Sequence, residues 1–170
     1  MMLKIFSIAL VLQMHNFAGA PPSIVESAQR ELTRVYAEIG VPVEWAGAED
    51  RPDTGAGRAM HIILVAREAG ALRHTRDTVL GATLWTDKGT SAVYVFYQRV
   101  EAEARRHAVS LALVLACTLA HELGHVLMPD RGHTAEGLMR ACWKSSDFLS
   151  ANQGQLRFNE EQVRVMRAAR

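Results

Sequence analysis

Residues 121–133 read HELGHVLMPDRGH, and this short stretch concentrates most of the chain's chemical potential. Two histidines four apart share one face of an α-helix, a single turn from each other. His121 and His125 can therefore both turn a ring nitrogen toward one divalent cation. Zinc accepts such nitrogens at about 2.0–2.1 Å, and a zinc that works on a substrate keeps three protein ligands and one open position. Glu122 stands beside the first histidine, placed to take a proton from water rather than to bind the ion. The third ligand has to come from further along. Pro129 cannot continue the helix, and Gly132 permits the chain to reverse. That brings His133 round as the favoured third ligand, with Asp130, Glu136 or a distant glutamate as competitors. Three good ligands and an intact glutamate favour a hydrolytic site over a closed structural one. The alternative is a non-catalytic interaction domain in which zinc staples the helix to the loop after it.

These residues need a scaffold. The apolar run LALVLACTLA at 111–120 leads straight into the motif, so a buried helix carries His121 and His125. It is too short to be a membrane span. The wider helical pattern runs from Val100 to Met128, with a break expected near His107 to Ser110. Upstream, Ile24, Ala28, Leu32, Val35 and Ile39 recur at helical spacing in Ser23–Ile39, and Gly40 and Pro42 end that helix. Val43–Trp45 reads as a short extended piece, Glu49–Arg58 as a loop, and Met60–Ala66 as a buried strand. Val79–Trp85 and Ala92–Tyr97, joined through Asp87-Lys88-Gly89, read as a hairpin. Asn159, followed by Glu160, Glu161 and Gln162, is a capping box that opens a last helix. Helices and strands mix without strict alternation, which points to an α+β fold.

The chain has 170 residues, 49% apolar and 22% charged, which suits one domain with its own core. Nineteen basic residues against eighteen acidic ones give a net charge of +1 with no basic block, so nucleic acid is a poor partner. Lys4, the apolar stretch Ile5–Leu12 and the small residues Ala18-Gly19-Ala20 follow the plan of a cleavable leader over residues 1–20. The single domain would then begin near Pro21 and be secreted or periplasmic, a monomer without a stable membrane span. Export would let Cys117 and Cys142 keep a disulfide, though their sequence positions do not say whether they pair. His61, His74 and His107 lie outside any ligand spacing and read as surface or packed histidines. Trp45, Trp85 and Trp143 read as core or rim aromatics.

His121-Glu122-x-x-His125 with a nearby third histidine, followed by Gly137-Leu138-Met139, resembles the metzincin zinc peptidases. HELGH, a linker, histidine and then GLMRACW is also similar to small secreted bacterial proteins of this type. Carried over position by position, His121 and His125 are the helical ligands, Glu122 is the general base and Met139 is the methionine of the turn beneath the metal. His133 matches the third ligand in role but not in spacing. Met128 stands where the family has glycine and Arg131 where it has the last histidine, so the connection is two residues longer. The resemblance implies a small zincin-like domain: an N-terminal helix, a mixed twisted sheet, an active-site helix, the Met-turn and a C-terminal helix. It also implies one zinc ion and hydrolysis of peptide bonds in a peptide or protein substrate. An exposed edge strand would pair with the peptide backbone. Val79–Trp85 has the right place in the chain, making Gly81, Ala82 and Thr83 the expected substrate contacts. Tyr94, Tyr97, Arg140 and His107 are available to stabilise an oxyanion.

Overall fold

The apolar runs ahead of the histidine motif build one sheet. A computed structural model describes residues 9–47, 60–68, 72, 76–85, 91–130 and 132–169. The expected loop at Glu49–Arg58, the Asp87-Lys88-Gly89 turn and His74 lie outside these residues, as does Lys4. The strands are β1 (Leu10–Asn16), β2 (Val43–Ala46), β3 (Met60–Val65), β4 (Gly81–Trp85) and β5 (Ser91–Phe96). Their order is β2-β1-β3-β5-β4. The first four strands in that order run parallel, and β4 lies antiparallel along β5 at the edge. The helices are α1 (Pro22–Glu38), α2 (Tyr97–His107), α3 (Leu111–Leu127), α4 (Ser145–Asn152) and α5 (Glu160–Ala168). The fold is α+β, as the mixture of patterns indicates.

Side-chain alternation decides which face of the sheet is covered. Leu12 lies beside Trp45 and Met60, Ile62 beside Val93, and Val93 beside Thr83, so these residues share a face. Leu12, Ile62, Leu64, Val93 and Val95 are fully buried there. Both long helices lie on that side. The Trp45 Nε1–H donates to Thr33 of α1 at 3.0 Å, and the Thr83 hydroxyl reaches Glu122 of α3. Every residue of α3 from Val114 to Gly124 is buried, the signature of a helix at the centre of a core. The Tyr36 hydroxyl of α1 donates to the Ala120 carbonyl at 3.0 Å, one turn before the motif ends. Among the described residues, no helix is long and apolar enough to cross a membrane.

Several boundaries differ from those read in the sequence. The buried face of α1 centres on Val25, Ala28, Leu32 and Tyr36, rotated from the Ile24–Val35–Ile39 stripe. The helical stretch 97–128 splits where expected: Ala108 takes a left-handed conformation at φ 52°, and Ser110 caps α3 by accepting from the Leu113 N–H. Tyr97 opens α2 rather than ending β5. The short polar helix α4 had no sequence signal strong enough to name it.

The largest difference concerns residues 1–20. Leu10–Asn16, assigned from sequence to a removable leader, forms β1 and is paired on both sides, with β2 and with β3. A chain cut after Ala20 would lack this interior strand. The ambiguity has a physical source. A parallel strand buried on both sides reads as a continuous apolar run, and so does the apolar region of a leader.

Candidate metal centre

Helix α3 delivers the first two histidines. His121, nearly buried, and His125, half-buried, follow each other by one turn, and their Nε2 atoms lie 3.1 Å apart. The helix ends at Leu127, and the Pro129-Asp130 turn redirects the chain. His133 returns with its Nε2 at 3.2 Å from both other Nε2 atoms. Among the described residues this is the group of ligand atoms able to hold a metal ion. Asp130 and Glu136, the competing third ligands, stand outside it.

The triangle fits an ion well. Ligands about 2.0–2.1 Å from a tetrahedral centre stand about 3.3 Å from one another, close to the separations found here. The second ring nitrogen of His121 supports the same use: Nδ1 lies 2.7 Å from the Leu138 carbonyl, which can only accept. The proton of the neutral ring therefore sits on Nδ1, leaving the Nε2 lone pair toward the other two histidines. Burial lowers the His121 pKa to about 4, with the Leu138 carbonyl acting in the opposite direction and the two neighbouring histidines adding to the fall. At neutral pH this imidazole is an uncharged donor to a cation.

The segment that holds Leu138 is itself fastened. Thr134 N–H donates to the Met139 carbonyl at 2.8 Å, and Leu138 N–H donates to the Arg157 carbonyl at 3.1 Å. Gly137 takes φ 76°, and a Cβ there would stand 2.7 Å from the Arg157 carbonyl oxygen. Met139 is fully buried. Its sulfur occupies the space over Gly124, where a Cβ would approach it to 2.5 Å. Gly124 lies between the two helical histidines in sequence, so the absence of a side chain there lets the methionine seat directly under the helix. Sequence reading identified Met139 but not the need for Gly124.

Glu122 faces β4. Its carboxylate Oε2 lies 3.0 Å from the Thr83 hydroxyl, which also stands 3.1 Å from the Glu122 carbonyl. A Cβ at Gly81 would meet the Glu122 Cγ at 2.9 Å. That is the close approach a glycine inside a strand often marks. Burial raises the Glu122 pKa to about 7, and the bond from Thr83 pulls it the other way. Gly81 and Thr83, singled out as substrate contacts, thus lie against the glutamate itself, on a strand whose outer side pairs with no other strand among the described residues.

A cavity of about 540 Å³ opens onto the three histidines and Glu122. β4 and the residues before it form one wall, 140–143 another, and the end of α2 closes the far side. Trp143 stands edge-on to His121, with ring centroids 5.7 Å apart. Its buried Nε1–H has no partner among the described residues. Of the four oxyanion candidates, Arg140 and His107 line the cavity. Arg140 is held by Asp147 at 3.3 Å. Tyr94 pairs with Ala82, one residue out of step with Gly81 and Thr83, and so points to the opposite face of the sheet. Tyr97 is buried outside the cavity lining, and its hydroxyl has no partner among the described residues. Cys117 and Cys142 are both free thiols, one buried and one exposed. Burial pushes the Cys117 pKa up to about 12, so this thiol is an inert core residue.

No protein-family model matches the sequence, and no curated protein matches it.

Proposed function

We propose that the chain is a zinc-dependent endopeptidase of the metzincin type, with His121, His125 and His133 holding one zinc ion and Glu122 serving as general base. One observation carries the reading: three imidazole nitrogens at 3.1–3.2 Å from one another share a cavity with a buried carboxylate. A zinc ion bound there would supply a Lewis acid for the scissile carbonyl and would make water more acidic. The remaining work falls to side chains of this chain. Glu122, with its pKa near neutrality, accepts the proton of the attacking water and passes it to the leaving amine. Thr83 fixes the carboxylate by its hydroxyl bond, and Gly81 leaves the space the carboxylate occupies. The outer edge of β4 gives an extended peptide a backbone to pair with, directly beside that carboxylate.

The test combines metal analysis with cleavage of an unstructured protein. Purified chain should carry about one zinc per molecule, cut the substrate, and stop when a chelator removes the metal. Glu122→Gln should retain zinc and lose turnover by about 10²–10⁴-fold. For the native protein, kcat/KM should rise as pH increases through the range where Glu122 ionises. Zinc binding without any cleavage would instead favour the metal-stapled interaction domain.

A further inference from the structure

The cavity beside the histidines is deeper than a water-activating site requires, and its far end has a chemistry of its own. A line of rings leads away from the metal centre. His121, Trp143, Phe148 and His107 follow one another with successive centroids 5.7, 5.8 and 4.6 Å apart. Trp143 and Phe148 meet edge to face, and both line the cavity. At the end of this line His107 is clamped between two elements. Its Nε2 lies 3.1 Å from Glu103 of α2, and its Nδ1 lies 3.1 Å from the Ser145 hydroxyl that opens α4.

The hydrogen-bond inventory says what this end lacks. A carboxylate only accepts, so Nε2–H of His107 donates to Glu103. Glu103 also accepts from Arg106 at 2.9 Å. A carboxylate has about four acceptor sites, so Glu103, which lines the cavity, keeps lone pairs unused by these bonds. Glu103 is already balanced by the Arg106 cation, and Arg140 lines the same cavity. A lysine or arginine side chain reaching Glu103 would meet the Arg106 guanidinium, and an acidic one would meet the Glu103 carboxylate. The complement is an uncharged donor at the tip of a flat apolar side chain.

We infer that the cavity selects a tyrosine side chain next to the bond that is cut, its ring against Trp143 and Phe148 and its hydroxyl donating to Glu103 at the far end. This deepens the peptidase reading and rests on it for the cutting of the bond. Glu103 sets the specificity, and His107, bonded to both Glu103 and Ser145, is the positioning residue that holds it.

The experiment uses zinc-loaded protein and matched peptides differing at one position, with Tyr, Phe, Leu or Lys beside the cleaved bond. The expected order of kcat/KM is Tyr, Phe, Leu, Lys, with Tyr about tenfold above Phe, the value of one hydrogen bond to a charged acceptor. Glu103→Leu should bring the Tyr-to-Phe ratio toward one, and Ser145→Ala should lower it less. Because the ratio compares two substrates on the same protein, a general loss of folded material does not move it. The native protein's ratio stands as a test even if neither variant folds. A second arm needs no turnover. The same peptides bind to zinc-loaded Glu122→Gln, followed by tryptophan fluorescence, and should show the same order of affinity. Cleavage without preference for Tyr over Phe overturns this inference alone. Tyr-selective binding without any cleavage overturns the peptidase reading and upholds the cavity's selectivity. Neither cleavage nor selective binding overturns both.

Discussion

His15 of β1 and His61 of β3 meet on the sheet face turned away from α1 and α3, with Nε2 of one 3.0 Å from Nδ1 of the other. On the covered face His121, His125 and His133 turn three Nε2 atoms toward one another at 3.1–3.2 Å. The separations are alike, but the chemistry differs. In the pair one ring can donate and the other accept, so the contact is an ordinary hydrogen bond. In the triad the Leu138 carbonyl draws the His121 proton to Nδ1, so its Nε2 can only accept. A ring of nitrogens organised in this way suits a cation better than it suits itself. Proximity of histidines is therefore weak evidence for a metal. What distinguishes the triad is the convergence of three ring nitrogens on one point, with a buried carboxylate and a cavity beside it.

Four experiments sharpen or break this contrast, from the largest expected effect to the smallest. Deleting residues 1–20 removes β1, including His15 and the buried Leu12 at the middle of the sheet. The shortened chain should fail to fold, which loss of a cooperative melting transition would report. A stable, zinc-binding protein starting at Pro21 would sink the account of β1. Next comes ligand removal at each cluster. His133→Ala should weaken zinc binding by well over about a hundredfold, more than the loss of an outer partner usually costs. His61→Ala should leave it within a few-fold. Equal losses in a chelator-competition titration would erase the distinction between the clusters.

The third experiment tests the two glycines against which the site is built. Gly124→Ala puts a methyl within 2.5 Å of the Met139 sulfur, and Gly81→Ala puts one 2.9 Å from the Glu122 Cγ. Each should cost about 1–3 kcal/mol by overpacking. If the proposed peptidase reading holds, only Gly81→Ala should lower kcat while sparing zinc affinity, since it displaces the Glu122 carboxylate and not a histidine. The smallest effect belongs to Tyr36→Phe, which deletes the bond to the Ala120 carbonyl. Chemical denaturation should show a loss of about 1 kcal/mol.

The motif residues were legible in the sequence because helical spacing alone places His121 and His125 on one face. The reversal at Pro129 and Gly132 made His133 the economical third partner. The edge position of β4 was legible only as a possibility of chain order. Residues 10–16 read two ways from their composition, because an apolar run does not reveal whether it is to be buried in a sheet, as β1 is here, or removed. Gly124 gave no signal on its own, and Gly81 was named only as a member of a candidate edge strand, because a glycine shows what approaches it only once the neighbour is in place. The far end of the cavity was equally hidden, since Glu103 and His107 come from α2 and Phe148 from α4, a helix not readable in advance.

The amino-acid order by itself determined which groups could do chemistry and the local helix that pairs two of them, because those depend on short-range backbone geometry. Tertiary structure decided the rest. It brought a third imidazole across a turn, directed the His121 proton to a carbonyl seventeen residues on, and laid a strand edge against the carboxylate. Those choices depend on contacts between segments far apart in the chain, and each is settled only when the core between them is packed.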